Sequence, residues 1–181
     1  MISDNELMIE IAAGDIDKIG LLYERYNKLL FGYFFKLTKS KDISEDLVND
    51  VFLKILDSKN KYRGDGIFRV WMFRIARNIF IDDYKRNKKM IAKENHYLND
   101  RNEGNTEDLH EVYEKKENRE MVHNALLKLK EKEREVLVLC KLDGLKYREV
   151  AKILECSEEA VKVRAFRALQ NLKSTLLKMK N

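Results

Sequence analysis

Arginines and aromatic residues alternate over residues 69–80, RVWMFRIARNIF, and this combination suggests binding chemistry. Drawn as a helix at about 100° per residue, the segment places Arg74, Arg77 and Asn78 on one strip without an acidic residue, and Trp71 at its border. Such strips suit single-stranded nucleic acid, because the backbone needs positive charge and unstacked bases need a flat apolar partner. An ordinary core position for Trp71 is the alternative. The preceding segment, KNKYRGDGIF, contains two of the seven glycines and predicts a structured loop that could hold an extruded base.

A second candidate site lies near the C-terminus, where YREVAKILECSEEAVKVRAFRALQNL has the spacing of a helix-turn-helix. Ala151 allows the two helices to approach closely, Ser157 is a good N-cap, and Val161 fills the angle between the helices. Glu155 occupies a turn position where glycine is commonest.

The wheel of the second helix separates a core arc from an outer arc. The core arc is Val161, Ala165, Ala168, Leu169 and Leu172. The outer arc is Glu159, Val163, Phe166, Arg167 and Gln170, with Lys162 and Arg164 on its flanks. Val163 and Phe166 suit thymine methyls, Arg167 and Gln170 suit base edges, and Lys162 and Arg164 suit phosphates. Alternatively, Phe166 packs on another helix of its own domain.

A third face is acidic. In the helix predicted from about Asp42 to Leu56, the core side is Leu47, Val48, Val51, Phe52 and Ile55. The outer side presents Asp46, Asn49, Asp50 and Leu53, which would repel DNA and fit a basic protein partner. A solvated acidic surface is the equally weighted alternative.

Composition predicts the elements that position these faces. The chain has 181 residues, of which 44% are hydrophobic and 37% charged, with no proline. Strand-and-turn proteins need more turn residues, so we expect an all-α protein. Helical periodicity covers Leu7–Leu37 with a break at Gly14, and returns near Met121.

The charge distribution divides the chain into three parts. Residues 1–90 carry 17 Lys and Arg against 14 Asp and Glu, residues 91–118 carry 4 against 8, and residues 119–181 carry 15 against 9. The middle part has no sustained period and predicts a flexible acidic linker or a segment that is ordered only by a partner. The sequence therefore predicts two small helical domains joined by this middle part. The excess of Lys and Arg in both domains suggests a polyanionic partner.

Several other chemistries find no support in the sequence. Cys140 and Cys156 form no CxxC pair, and His96, His110 and His123 have no metal-ligand spacing. Clustered carboxylates and phosphate-binding glycine motifs are lacking too, so we expect no catalytic site, no metal and no cofactor. The sequence shows neither an apolar run of about 18 residues nor a secretory signal, which predicts a cytoplasmic protein without membrane insertion.

Three segments together resemble the extracytoplasmic-function (ECF) group of bacterial sigma factors, in the sigma-70 family of RNA polymerase. They are SEDLVNDVFLKIL, RGDGIFRVWMFRIARNIFIDD and LKEKEREVLVLCKLDGLKYREVAKILECSEEAVKVRAFRALQNLK. The resemblance implies a sigma domain 2-like helical bundle over residues 1–90, a linker over 91–118 and a sigma domain 4-like helix-turn-helix over 119–181. It implies promoter-specific transcription initiation with core RNA polymerase and no catalytic site.

The resemblance also assigns roles to the three faces. The minus-ten promoter element would be captured and melted by Arg63, Asp65, Phe68, Trp71, Arg74, Arg77 and Asn78. The minus-thirty-five element would be read as duplex by Lys162, Val163, Arg164, Phe166, Arg167 and Gln170. The clamp helices of the largest polymerase subunit would be contacted by Asp46, Asn49, Asp50, Phe52 and Leu53. The beta flap and a separate anti-sigma factor are the further partners implied.

Two departures and one rival interpretation limit this transfer. Asn49 stands where the family usually has glutamine, and Val163 occupies a position that is often polar, so promoter preference cannot be carried over. The rival is a free-standing helix-turn-helix regulator whose N-terminal domain dimerises or binds an effector. Residues 69–89 carry seven Lys and Arg against two Asp and Glu, more than a dimerisation surface needs, which favours the sigma factor.

Overall fold

The described part of the protein is all helix, turn and loop. The computed structural model describes residues 2–64, 66–93 and 120–180, and these ranges contain no strand. The helices are α1 (Asp4–Ala13), α2 (Ile19–Thr38), α3 (Lys41–Asp57), α4 (Phe68–Lys93), α5 (120–127), α6 (Glu131–Leu137), α7 (Tyr147–Leu154) and α8 (Glu158–Lys180). This confirms the predicted all-α class with two groups of helices, α1–α4 and α5–α8. In the described residues, none of these helices combines the length and apolarity needed to cross a bilayer.

Local signals in the sequence set several helix ends. Ser3 begins α1 with a reciprocal capping box to Glu6, and Gly14 ends the helix with a φ of 120°. Ser40 caps α3, because its hydroxyl accepts a hydrogen bond from the Ile43 amide at 3.3 Å. Because Gly14 ends α1, the predicted break at this residue is confirmed.

The first group buries a large aromatic core. Tyr33 and Phe34 of α2 and Phe73 of α4 are fully buried, and the rings of Tyr33 and Phe73 meet edge to face at 5.3 Å between centroids. The buried face of α3 is the one that the sequence predicts: Leu47, Val48, Val51, Phe52 and Ile55.

The second group forms the helix-turn-helix. A π-helical turn, Val138–Leu142, follows α6, and α7 and α8 complete the motif. A small cluster of Leu126, Leu129, Leu137 and Ala168, with Leu172 at its edge, joins α5, α6 and α8. Val161 and Ala165 are buried as predicted.

Leu169 corrects the predicted core arc of α8. Its side chain is 49% exposed, whereas the neighbouring Ala168 is fully buried. Successive residues on a helix differ by about 100° in direction, and the residues of α8 that pack with Leu126, Leu129 and Leu137 are Ala168 and Leu172. Leu169 therefore lies beyond the edge of the covered arc.

The two groups of helices are in direct contact. α7 lies against α4, the π turn lies against α2, and one connected cluster of buried apolar side chains runs through both groups. This contact determines which predicted site residues are accessible.

Candidate nucleic-acid interface

The turn of the helix-turn-helix has the predicted geometry. Glu155 adopts the left-handed conformation with φ 53°, which is the position that glycine usually fills. The Ser157 hydroxyl accepts a hydrogen bond from the Ala160 amide at 3.1 Å and so caps α8. Ala151 is 8% exposed, as expected for a residue that lets the helices approach.

The outer face of α8 is open in the described structure. Phe166 is 62% exposed and Val163 is 49% exposed, so neither packs within its own domain. Lys162, Arg167 and Gln170 are exposed around them, and Lys162 forms an ion pair with Glu158 at 2.9 Å. An apolar centre surrounded by cationic and amide side chains can contact base edges, thymine methyls and phosphates at once.

Arg164 is the exception on this face. It is half-buried, and its guanidinium lies 3.9 Å from the Sγ of Cys156 at the turn. Its side chain therefore runs back along α8 toward the turn. This agrees with the predicted position of Arg164 at the flank of the outer arc.

The basic strip of α4 faces the second group of helices. Arg74 donates two hydrogen bonds to the Lys152 carbonyl, at 2.8 and 3.2 Å. The Nε of Arg77 lies 2.8 Å from Oε1 of Glu135, on α6. Asn78 is exposed. Two of the three predicted strip residues thus contact the chain's own C-terminal part.

A further contact links the groups around Asp143, just after the π turn. The Asp143 carboxylate accepts a hydrogen bond from Lys36 of α2 at 2.6 Å, and its backbone carbonyl accepts one from Arg69 of α4. Its side chain is 1% exposed, so the chain inserts this acid between α2 and α4.

Burial changes the acidity of both carboxyl groups at this contact. It raises the pKa of the Glu135 carboxyl, although Arg77 opposes the shift. It also raises the pKa of the Asp143 carboxyl, against the opposing effects of Lys36 and Arg69. Desolvation disfavours the charged form of an acid, so here it outweighs the attraction of the neighbouring cations.

The loop before α4 brings only some of its predicted residues to the surface. Arg63 is exposed and Gly64 has a φ of 71°, whereas Asp65 lies outside the described residues. Phe68 is 1% exposed, which corrects its predicted contact with DNA: the first turn of α4 directs its ring into the core, 5.5 Å from the ring of Tyr26.

Trp71 lies between the two alternatives that the sequence left open. It is half-buried and packs at the edge of the core, with its ring 5.0 Å from that of Tyr62. The side chain thus closes one end of the loop and keeps part of its surface accessible.

The acidic face of α3 is exposed except at Phe52. Asp46, Asn49 and Asp50 are exposed, and Leu53 is 64% exposed. Phe52 is 6% exposed and packs against Tyr23 of α2, with 4.8 Å between the two ring centroids. Its predicted contact with a partner is therefore wrong as a direct contact, because α2 covers the ring.

The described residues hold no group of three or more His, Cys, Asp or Glu side chains placed to bind a metal ion. Cys140 and Cys156 are not joined by a disulfide. Burial raises the pKa of the Cys140 thiol to about 11, which leaves it a poor nucleophile at neutral pH.

Sequence patterns did not reveal Lys36, Glu135 and Asp143. No local pattern pairs them, because their partners are 58 to 107 positions away in the chain. The only available signal was negative: three arginines on α4 had no acidic neighbour on their own helix.

Comparisons with known proteins agree with this architecture. The family model described as Sigma-70 region 2 matches residues 22–90, and that described as Sigma-70, region 4 matches residues 119–172. The RNA polymerase sigma factor YlaC of Bacillus subtilis is 32% identical over 166 residues, which cover 90% of this chain and 94% of that protein. The ECF RNA polymerase sigma-E factor of Escherichia coli K12 is 27% identical over 174 residues, which cover 92% of this chain and 91% of that protein.

Two solved structures share the fold. CnrH in complex with the cytosolic domain of CnrY has a TM-score of 0.71 at 26% identity and covers 98% of this chain and 99% of CnrH. The sigma factor RpoE from Bartonella quintana was solved with the anti-sigma factor NepR. It has a TM-score of 0.71 at 21% identity, and the match covers 90% of this chain and 98% of RpoE. The chain therefore belongs to the ECF group of the sigma-70 family, the RNA polymerase sigma factors that direct transcription to specific promoters.

Proposed function

We propose that this sigma factor uses three separate faces for its three partners. The face of α8 built around Phe166 reads the minus-thirty-five element, the strip of α4 binds the melted minus-ten element, and the acidic face of α3 docks on core polymerase. The observation that carries the proposal is the exposure of Phe166, 62%, among cationic neighbours. A large aromatic side chain held away from its own core is typical of a binding surface.

The upstream contact involves duplex DNA. Arg167 and Gln170 contact base edges, Val163 and Phe166 contact thymine methyls, and Lys162 and Arg164 contact phosphates. The support is that the apolar pair lies at the centre of the exposed face with the polar side chains around it.

The downstream contact involves an unpaired strand. Arg63, Trp71, Arg74, Arg77 and Asn78 bind it, with Phe68 supporting the loop from inside. Asp65 belongs to the same proposed site. The support is the acid-free strip of α4, beside a loop whose glycine has positive φ.

Polymerase binding involves the acidic face. Asp46, Asn49, Asp50 and Leu53 dock on the clamp helices of the largest subunit, and Phe52 holds α3 in place beneath them. An exposed leucine among carboxylates provides an apolar anchor within a charged rim. The second group of helices would contact the beta flap.

We further propose the domain limits 1–90, 91–118 and 119–181, a cytoplasmic location, and control by a separate anti-sigma factor. The two family matches, 22–90 and 119–172, fall within the outer two ranges. CnrH, with which this chain shares its fold and 26% of its residues, was solved bound to the cytosolic domain of CnrY.

One consequence concerns the contact between the two groups of helices. Arg74 and Arg77 hydrogen-bond to the C-terminal part of the chain, so they cannot contact a DNA backbone fully until that contact opens. Core polymerase and promoter DNA would favour opening to the extent that they bind the open arrangement more tightly than the closed one.

The test is reconstitution with bacterial core RNA polymerase. The full-length protein and core enzyme would be co-eluted by gel filtration, and the holoenzyme would transcribe genomic fragments of the source organism. Sequencing the RNA 5′ ends would then define the promoter. We expect co-elution and initiation at a common two-element motif, whereas absence of both would overturn the proposal.

A further inference from the structure

The N-terminal helix holds the proposed base-capture loop through one side chain. Asn5 of α1 donates a hydrogen bond from Nδ2 to the Gly66 carbonyl at 2.9 Å. Its Oδ1 accepts hydrogen bonds from the Phe68 amide, at 3.2 Å, and from the Tyr62 hydroxyl. One amide group thus binds both ends and the middle of the loop between Tyr62 and Phe68, across more than 55 positions of sequence.

A second contact from the same helix supports this arrangement. Ile9 lies one turn after Asn5, and its Cδ1 is 3.3 Å from the point that a Cβ on Gly64 would occupy. Gly64 has φ 71°, a conformation that side chains other than glycine rarely adopt. The loop therefore rests closely on α1 at a position where only glycine fits without strain.

α1 is itself firmly held. Leu7, Met8 and Ile11 are fully buried, and Asp4 forms an ion pair with Arg25 of α2 at 2.7 Å. The hydrogen bonds of Asn5 therefore connect the loop to a helix anchored in the core. A loop fixed before binding loses less conformational entropy when it takes a ligand.

We propose that Asn5 is a positioning residue for capture of the unpaired minus-ten strand. It fixes the loop in the conformation that accepts an extruded base, and it does not itself contact DNA. This inference rests on the proposed function of the loop and assigns a role in promoter melting to α1, which lies outside the segment matched as Sigma-70 region 2.

The experiment uses holoenzyme assembled from full-length protein and core polymerase. The probe is a fluorescent single-stranded oligonucleotide that spans the minus-ten element of the promoter found by transcript mapping. We expect Asn5→Ala to weaken oligonucleotide binding by about tenfold, while affinity for core polymerase stays within about twofold of wild type.

Ser3→Ala is the matched control. It removes the hydroxyl that accepts a hydrogen bond from the Glu6 amide at 3.2 Å, one of the two bonds of the α1 capping box, and lowers the stability of the helix without touching the loop. We expect its melting temperature to fall while oligonucleotide binding remains at the wild-type level. Equal loss of binding in Ser3→Ala would show that α1 acts only through stability and would overturn the proposal.

Asn5→Asp provides an independent check. It keeps an acceptor for the Phe68 amide and the Tyr62 hydroxyl, but it places a second acceptor oxygen against the Gly66 carbonyl in place of the donor. We expect a loss at least as large as for Asn5→Ala, and wild-type binding by either variant would overturn the proposal. If wild-type holoenzyme itself failed to bind the oligonucleotide, the proposed function of the loop would fall instead, so the two failures are distinguishable.

Discussion

The Nε of Arg77 lies 2.8 Å from Oε1 of Glu135, and this ion pair joins α4 of the first group of helices to α6 of the second. Arg77 belongs to the strip that we propose binds the melted promoter strand. The guanidinium has an internal acidic partner in the free chain, and under the proposed function it would exchange that partner for a phosphate of the promoter. Lys36 and Asp143 form a similar link at 2.6 Å.

Weakening this contact should expose the α4 strip. In Glu135→Ala combined with Asp143→Ala, Arg77 and Lys36 lose the side-chain acceptors of these two links, so the contact leaves two cations without their acidic partners. We expect the isolated protein to bind a single-stranded oligonucleotide several-fold more tightly than wild type, measured by fluorescence anisotropy at low salt. Glu131→Gln removes one charge from the exposed side of α6 and serves as the control. An increase of the same size in the control would indicate a general charge effect and contradict the account.

The two buried carboxyl groups also predict a pH dependence of stability. Their pKa values are raised from ordinary values of 4.5 for Glu135 and 3.8 for Asp143. A raised pKa means that the folded state binds the proton more tightly, so this contribution is complete below the ordinary value and is lost as the pH rises through the raised value. We expect the free energy of unfolding of wild type, relative to the double variant, to fall over that window.

Urea unfolding of both proteins at a series of pH values measures this difference. The double variant lacks both titrating groups, so other carboxyl groups cancel in the comparison. A difference that stayed constant with pH, or that moved in favour of wild type as the pH rose, would show that burial does not control these two groups.

Arg167→Ala tests the upstream contact. Arg167 is exposed on α8, and its loss should remove one base contact worth about 1–3 kcal/mol. We expect transcription from a promoter that depends on the minus-thirty-five element to fall, with core polymerase affinity unchanged. Lys173→Ala, farther along the same helix and also exposed, is the control. A comparable defect on a template whose minus-thirty-five element has been scrambled would argue against base reading by Arg167.

Asp50→Lys tests the polymerase contact. Charge reversal at the centre of the acidic face places like charges opposite each other, which costs several kcal/mol at an interface. We expect holoenzyme assembly to be lost in a gel-filtration assay, with the melting temperature little changed because Asp50 is exposed. Asp57→Lys, at the exposed end of α3, is the control. Normal assembly by Asp50→Lys would place the docking surface elsewhere.

The faces of α8 and α3 could be predicted from sequence because each depends on short-range rules. The helical period and the Ser157 cap determine which α8 side chains point outward, and the exposure of Val163 and Phe166 agrees with that period. Leu169 marks the limit of the approach, because the wheel places it in the core although its side chain is 49% exposed. A helical wheel gives direction but not the extent of the neighbouring helix that covers it.

Long-range contacts could not be predicted in this way. Asp143 lies 107 positions from Lys36, and Asn5 lies 61 positions from Gly66. No local period or cap specifies such pairs, because they depend on how the helices pack. The resemblance, and no local pattern, implies a DNA contact for Phe68. The direction of its ring depends on the angle at which the loop enters α4, and the structure places the ring in the core.

The most direct test of the separate-faces account is site-specific crosslinking in the promoter complex. A photoreactive phenylalanine analogue would be placed at position 78 of α4 or at position 170 of α8, because both positions are exposed. The holoenzyme would then be bound to its promoter and irradiated. The account predicts crosslinks from position 78 to the unpaired minus-ten strand and from position 170 to the minus-thirty-five duplex. Crosslinks from both positions to the same DNA segment, or from neither to DNA, would contradict it.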